Sequence, residues 1–410
     1  MDPIIRPDNG LLLIALQTAE GAPATLDPAL HAVPVEAGSF TYGSPYGNEE
    51  ANEVNGSLVA GSPLIIGQEV PLSFRSRIKG AGAGVTYTST VKPPLHAALQ
   101  ACGWRGQFTA AITAAALTAG TTTSATLGTG FTGTAQLYTG MPLVLSGGVG
   151  AGQIPLITGY TSGKVATLSD EMDVALDTTT MAGIPANWTY AGTSPTDAAS
   201  RLTDHPCATV GWYEDGNLYR WQDVRGILDL EGDTARPGFG AFNMSGTYLG
   251  SSTVAMPTNA VIASHSAPVL AKGAAAPAAA LINRKELPIS RWALRNGGNL
   301  ESIVDPNTPF GFGPSQIARR RPTFEADPLR TLVSTRDAIA EIAAAAAYPI
   351  ALRFGQTAGN RWSLVGANAQ PIQANPEMRG QLRSDAMVWQ MLSAGRDAQA
   401  RDTDRLLCFY

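Results

Sequence analysis

The feature that most constrains this chain is a two-residue alternation that returns at several places along it. Val70, Leu72, Phe74 and Ile78 alternate with Ser73, Arg75, Arg77 and Lys79. Successive side chains of a strand point to opposite faces, so this spacing predicts a strand with one buried and one polar face. Leu228 and Leu230 alternate with Asp229 and Glu231, and Phe242, Met244 and Tyr248 with Asn243, Ser245 and Thr247. Ile350, Leu352 and Phe354 against Ala351 and Arg353 continue the pattern, and 406–410 reads as a terminal strand. Asp215 and Gly216 stand between the aromatic runs Trp212, Tyr213 and Tyr219, Trp221. Glycine accepts the positive φ of a type I′ turn, so this dipeptide predicts a hairpin. The expected fold class is mainly β.

One helix is expected over about 328–347. Asp327 suits its cap, Pro328 its first position, and Leu329, Leu332, Val333, Ile339 and Ile342 recur at helical spacing until Pro349. A shorter one over 94–102 would align Leu95, Leu99 and Cys102 on one face.

Charge divides the chain. Between 106 and 169 the only charged residue is Lys164, and the text is Thr, Ala, Gly and apolar residues with short strand patterns such as 141–145. The acidic group Asp170, Glu171, Asp173 and Asp177 closes that stretch. Residues 106–187 are therefore expected to form an inserted small β-domain within a body made of 1–105 and 188–410. The Ala- and Pro-rich segment 268–280 reads as a linker or extended arm.

Lys plus Arg number 28 against 33 Asp plus Glu, a net charge of -5, which argues against a protein whose main surface binds phosphates. Only 15% of residues are charged, a composition suited to a β-rich assembling chain. Cys102, Cys207 and Cys408 are dispersed and odd in number, so neither a disulfide framework nor a thiolate zinc site is supported, and synthesis in a reducing cytosol fits. The apolar run 11–16 lacks a basic flank and is too short for a signal peptide, and no stretch is long enough to cross a membrane, so membrane insertion is not expected.

Candidate sites of chemistry are sparse. His31, His96, His205 and His265 are isolated from one another. Asp204, His205 and Cys207 read as a turn before a strand rather than a nucleophile and its base. The glycine tracts 80–84 and 147–152 lack the order of a phosphate loop. The acidic group reads as a solvated turn, since it lacks the spacing of a calcium loop. Arg319, Arg320 and Arg321 read as partners in a subunit salt bridge rather than phosphate ligands. Trp212, Tyr213, Tyr219 and Trp221 read as cross-strand pairs rather than a platform for bases. A polysaccharide-acting enzyme would need paired carboxylates, for which Asp229 and Glu231 are the only candidates. No catalytic residue, cofactor or metal is expected.

The order of several motifs carries more weight. Gln17, Glu20 and Gly21, then Pro93, Leu95, Leu99, Cys102 and Gly103, then Tyr190 with Ser194, then Tyr213, Asp215, Gly216, Arg225 and Gly226 follow one another. In this order they resemble the major tail tube protein of long-tailed bacteriophages. The resemblance implies a β-sandwich with one flanking α-helix, assembled into stacked hexameric rings that conduct DNA. It implies no turnover, a place in the virion tail after synthesis in the host cytoplasm, and partners among the tape measure and terminator proteins besides the chain itself. The polar segment 37–61, with Tyr42, Tyr46, Glu49, Glu50 and Glu53, is too long for a simple hairpin connection and is expected to be an assembly loop. The alternative is another β-rich virion component, a capsid decoration or receptor-binding tail protein, with 106–187 as its binding module.

Overall fold

The computed structural model describes residue 5 and residues 9–410, apart from 51, 52, 55, 57, 58, 60, 235, 266 and 271–279. Most of the expected linker over 268–280 thus lies outside the described residues. Two long strands organise the rest. Asn217–Asp233 pairs along one edge with Phe239–Thr253, while its other edge pairs first with Ala208–Glu214 and then with Arg291–Arg295. Trp362–Arg379 behaves alike: one edge meets Tyr348–Phe354, and the other passes from Arg401–Phe409 to Leu382–Leu392.

Each long strand begins an arm. The first runs through Ala208–Glu214 to Gly10–Leu16, and on its other side through Phe239–Thr253 to Val70–Arg77 and Thr41–Tyr42. The second runs through Arg401–Phe409 to Asn187–Thr193 and Trp104–Thr109. Arg291–Arg295, Thr323–Ala326 and Leu382–Leu392 join the arms. Phe74, Trp221 and Phe242 of the first arm share one core with Phe354, Trp362 and Phe409 of the second. The chain is thus mainly β, with several sheets.

Local sequence explains many of these elements. In Val70–Arg77 the alternate residues Val70, Leu72 and Phe74 are buried, as the spacing predicts. Asp215 and Gly216 adopt φ of 45° and 94°, and Glu214 pairs with Asn217 across them, which is the type I′ geometry. Tyr348–Phe354 departs from its expected polar face, because every residue in it is buried. Ala351 packs with Leu156, Leu281 and Val365, and Arg353 pairs with Asp170. Residues of the 106–187 stretch therefore cover the second face.

Within that stretch lie two separate sheets. One contains Ala119–Gly120, Ser124–Thr126, Val165–Leu168 and Ile157–Tyr160, and the other Ile112–Ala116, Met181–Ile184 and Val144–Ser146. Their core, from Leu117 to Ile184, takes no buried side chain from elsewhere. Trp104–Thr109 and Asn187–Thr193 pair directly, with Thr109 opposite Asn187, so the chain leaves and re-enters the body through neighbouring strands. The acidic group is not simply a solvated turn. Asp170 is buried against Arg353, whereas exposed Asp177 accepts hydrogen bonds from the backbone and hydroxyl of Thr179.

The helix expected over 328–347 shrinks to Ala338–Ala343, capped by Asp337, whose carboxylate accepts from the N–H groups of Ile339 and Ala340. Asp327 is buried and accepts from the N–H groups of Ser290 and Arg291, which binds the chain to the sheet at the point where a helix would begin. Leu329 then forms a bridge to Ser384. Leu332 and Val333 remain 76% and 73% exposed, so the apolar stripe meets no facing core. Among the described residues four short α-helices stand where two were expected, the others being Pro28–His31, His96–Ala101 and Ala198–Asp204. His96–Ala101 matches the shorter prediction and buries Ala98, Leu99 and Ala101. No helix among the described residues is long and apolar enough to cross a membrane.

Candidate assembly surface

The segment 37–61 is not one loop. Thr41–Tyr42 belongs to the body, paired with Val70–Arg77, and Tyr46–Glu49 pairs with Leu64–Gly67 as a hairpin outside the main sheet. The sequence misled because only the first strand is polar, while the returning strand carries Leu64, Ile65 and Ile66. These three are 64%, 65% and 41% exposed, an apolar run of the kind that associates when left open. Glu49, Glu50 and Glu53 are exposed on the outgoing side. Tyr42 lies apart from them. Its ring packs 5.2 Å from Trp221 and 5.4 Å from Tyr219, and burial, then Tyr219 and Glu214, push its hydroxyl up to about 12.

A second hairpin, Asn299–Val304 with Phe312–Arg319, stands beside the first. The Tyr46 and Phe310 rings lie 5.7 Å apart, and a Cβ on Gly67 would meet the Phe310 backbone at 2.7 Å, so only glycine admits this approach. The Glu69 carboxylate accepts from the hydroxyls of Ser302 and Ser315, tying both hairpins to the body. Sequence reasoning missed this second hairpin. Its signal was the Asp305, Pro306, Asn307 turn, where the Asp305 carboxylate accepts from the Asn307 N–H at 2.9 Å. Glu49, Glu50, Glu53, Glu69, Glu301 and Asp305 are the acidic residues of 37–74 and 297–318, and neither segment contains Lys, Arg or His.

Beneath the hairpins the ordered motifs converge on Arg225, which is fully buried. Its Nη2 donates to Glu20 at 2.6 Å, its Nη1 to the Ser315 carbonyl at 3.0 Å and its Nε to the His205 carbonyl at 2.7 Å. Gln17 is bonded to Asp223 two residues earlier. A Cβ on Gly226 would lie 3.0 Å from the Cys102 sulfur, so the Arg-Gly and Cys-Gly motifs touch. One guanidinium thus anchors the N-terminal segment, the 205–207 turn and the second hairpin.

The remaining candidates take structural positions. Asp229 accepts from the Asn296 N–H, and Glu231 bridges Arg75 at 2.8 Å and Arg295 at 3.2 Å. Arg320 pairs with Asp402 and Asp404 of its own chain. Trp212 stands opposite Tyr219 across the hairpin and stacks on Phe40 at 4.6 Å. His96 bonds to Tyr190 and Gln100, and burial, with Lys92 adding, draws its imidazole down to about 3. His205, mainly through burial, falls to about 4. The thiols of Cys102, Cys207 and Cys408 are buried, which pushes all three upward. Among the described residues, no group of three or more His, Cys, Asp or Glu is placed to hold a metal ion.

This geometry is an anchored, acidic and partly apolar protrusion. It can associate through its apolar strand and it repels polyanions. No protein-family model matches the chain, and comparison with the curated proteins finds no relative.

Proposed function

We propose that the chain is the structural subunit of a phage tail tube, built as a β-sandwich whose copies close into stacked hexameric rings around a DNA channel. The observation that carries the reading is the pair of adjacent hairpins whose charge is acidic except for Arg319 at the base of the second. A channel surface that lets a polyanion slide must not hold its phosphates, and acidic side chains release them. The exposed Leu64, Ile65 and Ile66 supply a contact surface for the next copy. Convergence of Glu20, Cys102, Gly103, Arg225 and Gly226 on one buried junction supports treating the ordered motifs as a unit. In this reading 106–187 lies on the outer wall.

Negative-stain microscopy of the purified protein tests it. Open-ended tubes or stacked rings are expected. Discrete monomers or trimers at every concentration would overturn the tube and favour a decoration or receptor-binding role.

A further inference from the structure

We propose that the polar face of residues 75–79 forms a binding site for a phosphate-type oxyanion, independent of tube assembly. The alternation that buries Phe74, Ser76 and Ile78 sends Arg75, Arg77 and Lys79 to the opposite face. All three line an open cleft of about 620 Å³ together with residues 34–39 and Pro268. The net charge of the whole chain conceals this local basic stripe.

The site is built rather than incidental. The Phe239 ring lies 4.8 Å from the Arg75 guanidinium and 5.7 Å from that of Arg77, which restricts both before any ligand arrives. Glu36 is the only carboxylate lining the cleft, and it stands 3.5 Å from Arg77 and 4.0 Å from Arg75. Glu231, the closer partner of Arg75, is shared with Arg295. Lys79 is 9% exposed and has neither a hydrogen bond nor an ion pair among the described residues. Partial burial of its ammonium, together with Arg77, draws its pKa down. Arg75, Arg77 and Lys79 against Glu36 and the shared Glu231 leave a positive surplus that suits a phosphate-type anion, with charge-assisted hydrogen bonds from two guanidiniums and one ammonium.

Calorimetric titration of the full chain with inorganic phosphate, at fixed pH and ionic strength, tests the site. A short DNA duplex forms a second arm, and Lys79→Met, Arg77→Gln and Arg236→Gln are the variants. Wild type and R236Q should bind phosphate alike, whereas K79M and R77Q should bind about tenfold more weakly or worse. Without phosphate, K79M should melt no lower than wild type, because methionine keeps the largely buried stem and breaks no ion pair. Phosphate binding without duplex binding assigns a free phosphate or monoester; duplex binding lost in K79M assigns a phosphodiester. No binding by wild type, or equal binding by folded K79M, overturns the proposal.

Discussion

The body and the inserted segment solve the same β problem with different materials. Among the fully buried large side chains of the body are Trp104, Trp221, Trp362 and Trp389 together with Arg225, Arg401 and Arg405. Arg401 donates to Asp397 and the Thr189 carbonyl, and Arg405 to Asp404 and Asn296, so each guanidinium joins segments distant in sequence. The insert core holds Leu, Ile, Ala, Met, Tyr and Phe, and its one buried charge, Asp170, turns outward to Arg353 of the body. A body with many strand partners needs specific polar ties to choose among them. A compact module with short connections reaches its pairing through backbone bonds and apolar packing.

The largest test of that contrast is Arg225→Met. It strands the carbonyls of His205 and Ser315, while Glu20 can turn to solvent, and should destabilise the body by about 2–4 kcal/mol in chemical denaturation. If the assembly reading holds, any folded R225M should also stack poorly, because the second hairpin loses its anchor. A loss below about 1 kcal/mol would show that the tie is dispensable.

Excision comes next. Replacing 110–186 with a short Gly-Ser linker spares the ladder between Trp104–Thr109 and Asn187–Thr193. With Arg353→Gln added, the body should fold with a loss of about 2 kcal/mol, from roughly 100 Å² of apolar surface left wet around Leu281, Ala351 and Val365. Removing 107–187 instead cuts that ladder and should cost far more. Thermal unfolding distinguishes the two, and microscopy should show tubes of unchanged inner diameter and smaller outer diameter for the first.

Acid should separate the regions without mutation. The insert contains no histidine, whereas His96 is drawn down to about 3 and His205 and His265 to about 4 in the body, each from 6.5. Between these values the unfolded body binds more protons than the folded one, so its stability is full above about pH 6.5 and falls as pH drops toward 4. Each such histidine contributes a slope of about 1.4 kcal/mol per pH unit. Tryptophan emission reports this cleanly, because all seven tryptophans lie outside 110–186. Equal acid sensitivity in the excised insert would break the contrast.

The smallest effect is Gly216→Ala. At φ of 94° a side chain is strained although nothing crowds it, so the body should lose about 1 kcal/mol, read as a lower unfolding midpoint.

Period-two alternation determined the strands at 70–77, 217–233 and 239–253, and the Asp-Gly pair determined the turn at 215–216, because both are set by backbone geometry within a few residues. Low charge marked the stretch that holds its own sheets and core. Tertiary structure decided the rest. The helical stripe at 329–342 was genuine as a pattern, yet Asp327 found its partners at Ser290 and Arg291, and Leu332 and Val333 found no core to cover. The strand at 348–354 lost its polar face because Leu156 and Asp170 dock there. The candidate surface was legible in its acidic side chains, Glu49, Glu50 and Glu53, but not in its apolar strand, its second hairpin or the arginine beneath them. Arg225 meets Glu20 across 205 positions of sequence. No local periodicity encodes such a pairing, which exists only once the strands have chosen their neighbours and excluded water from between them.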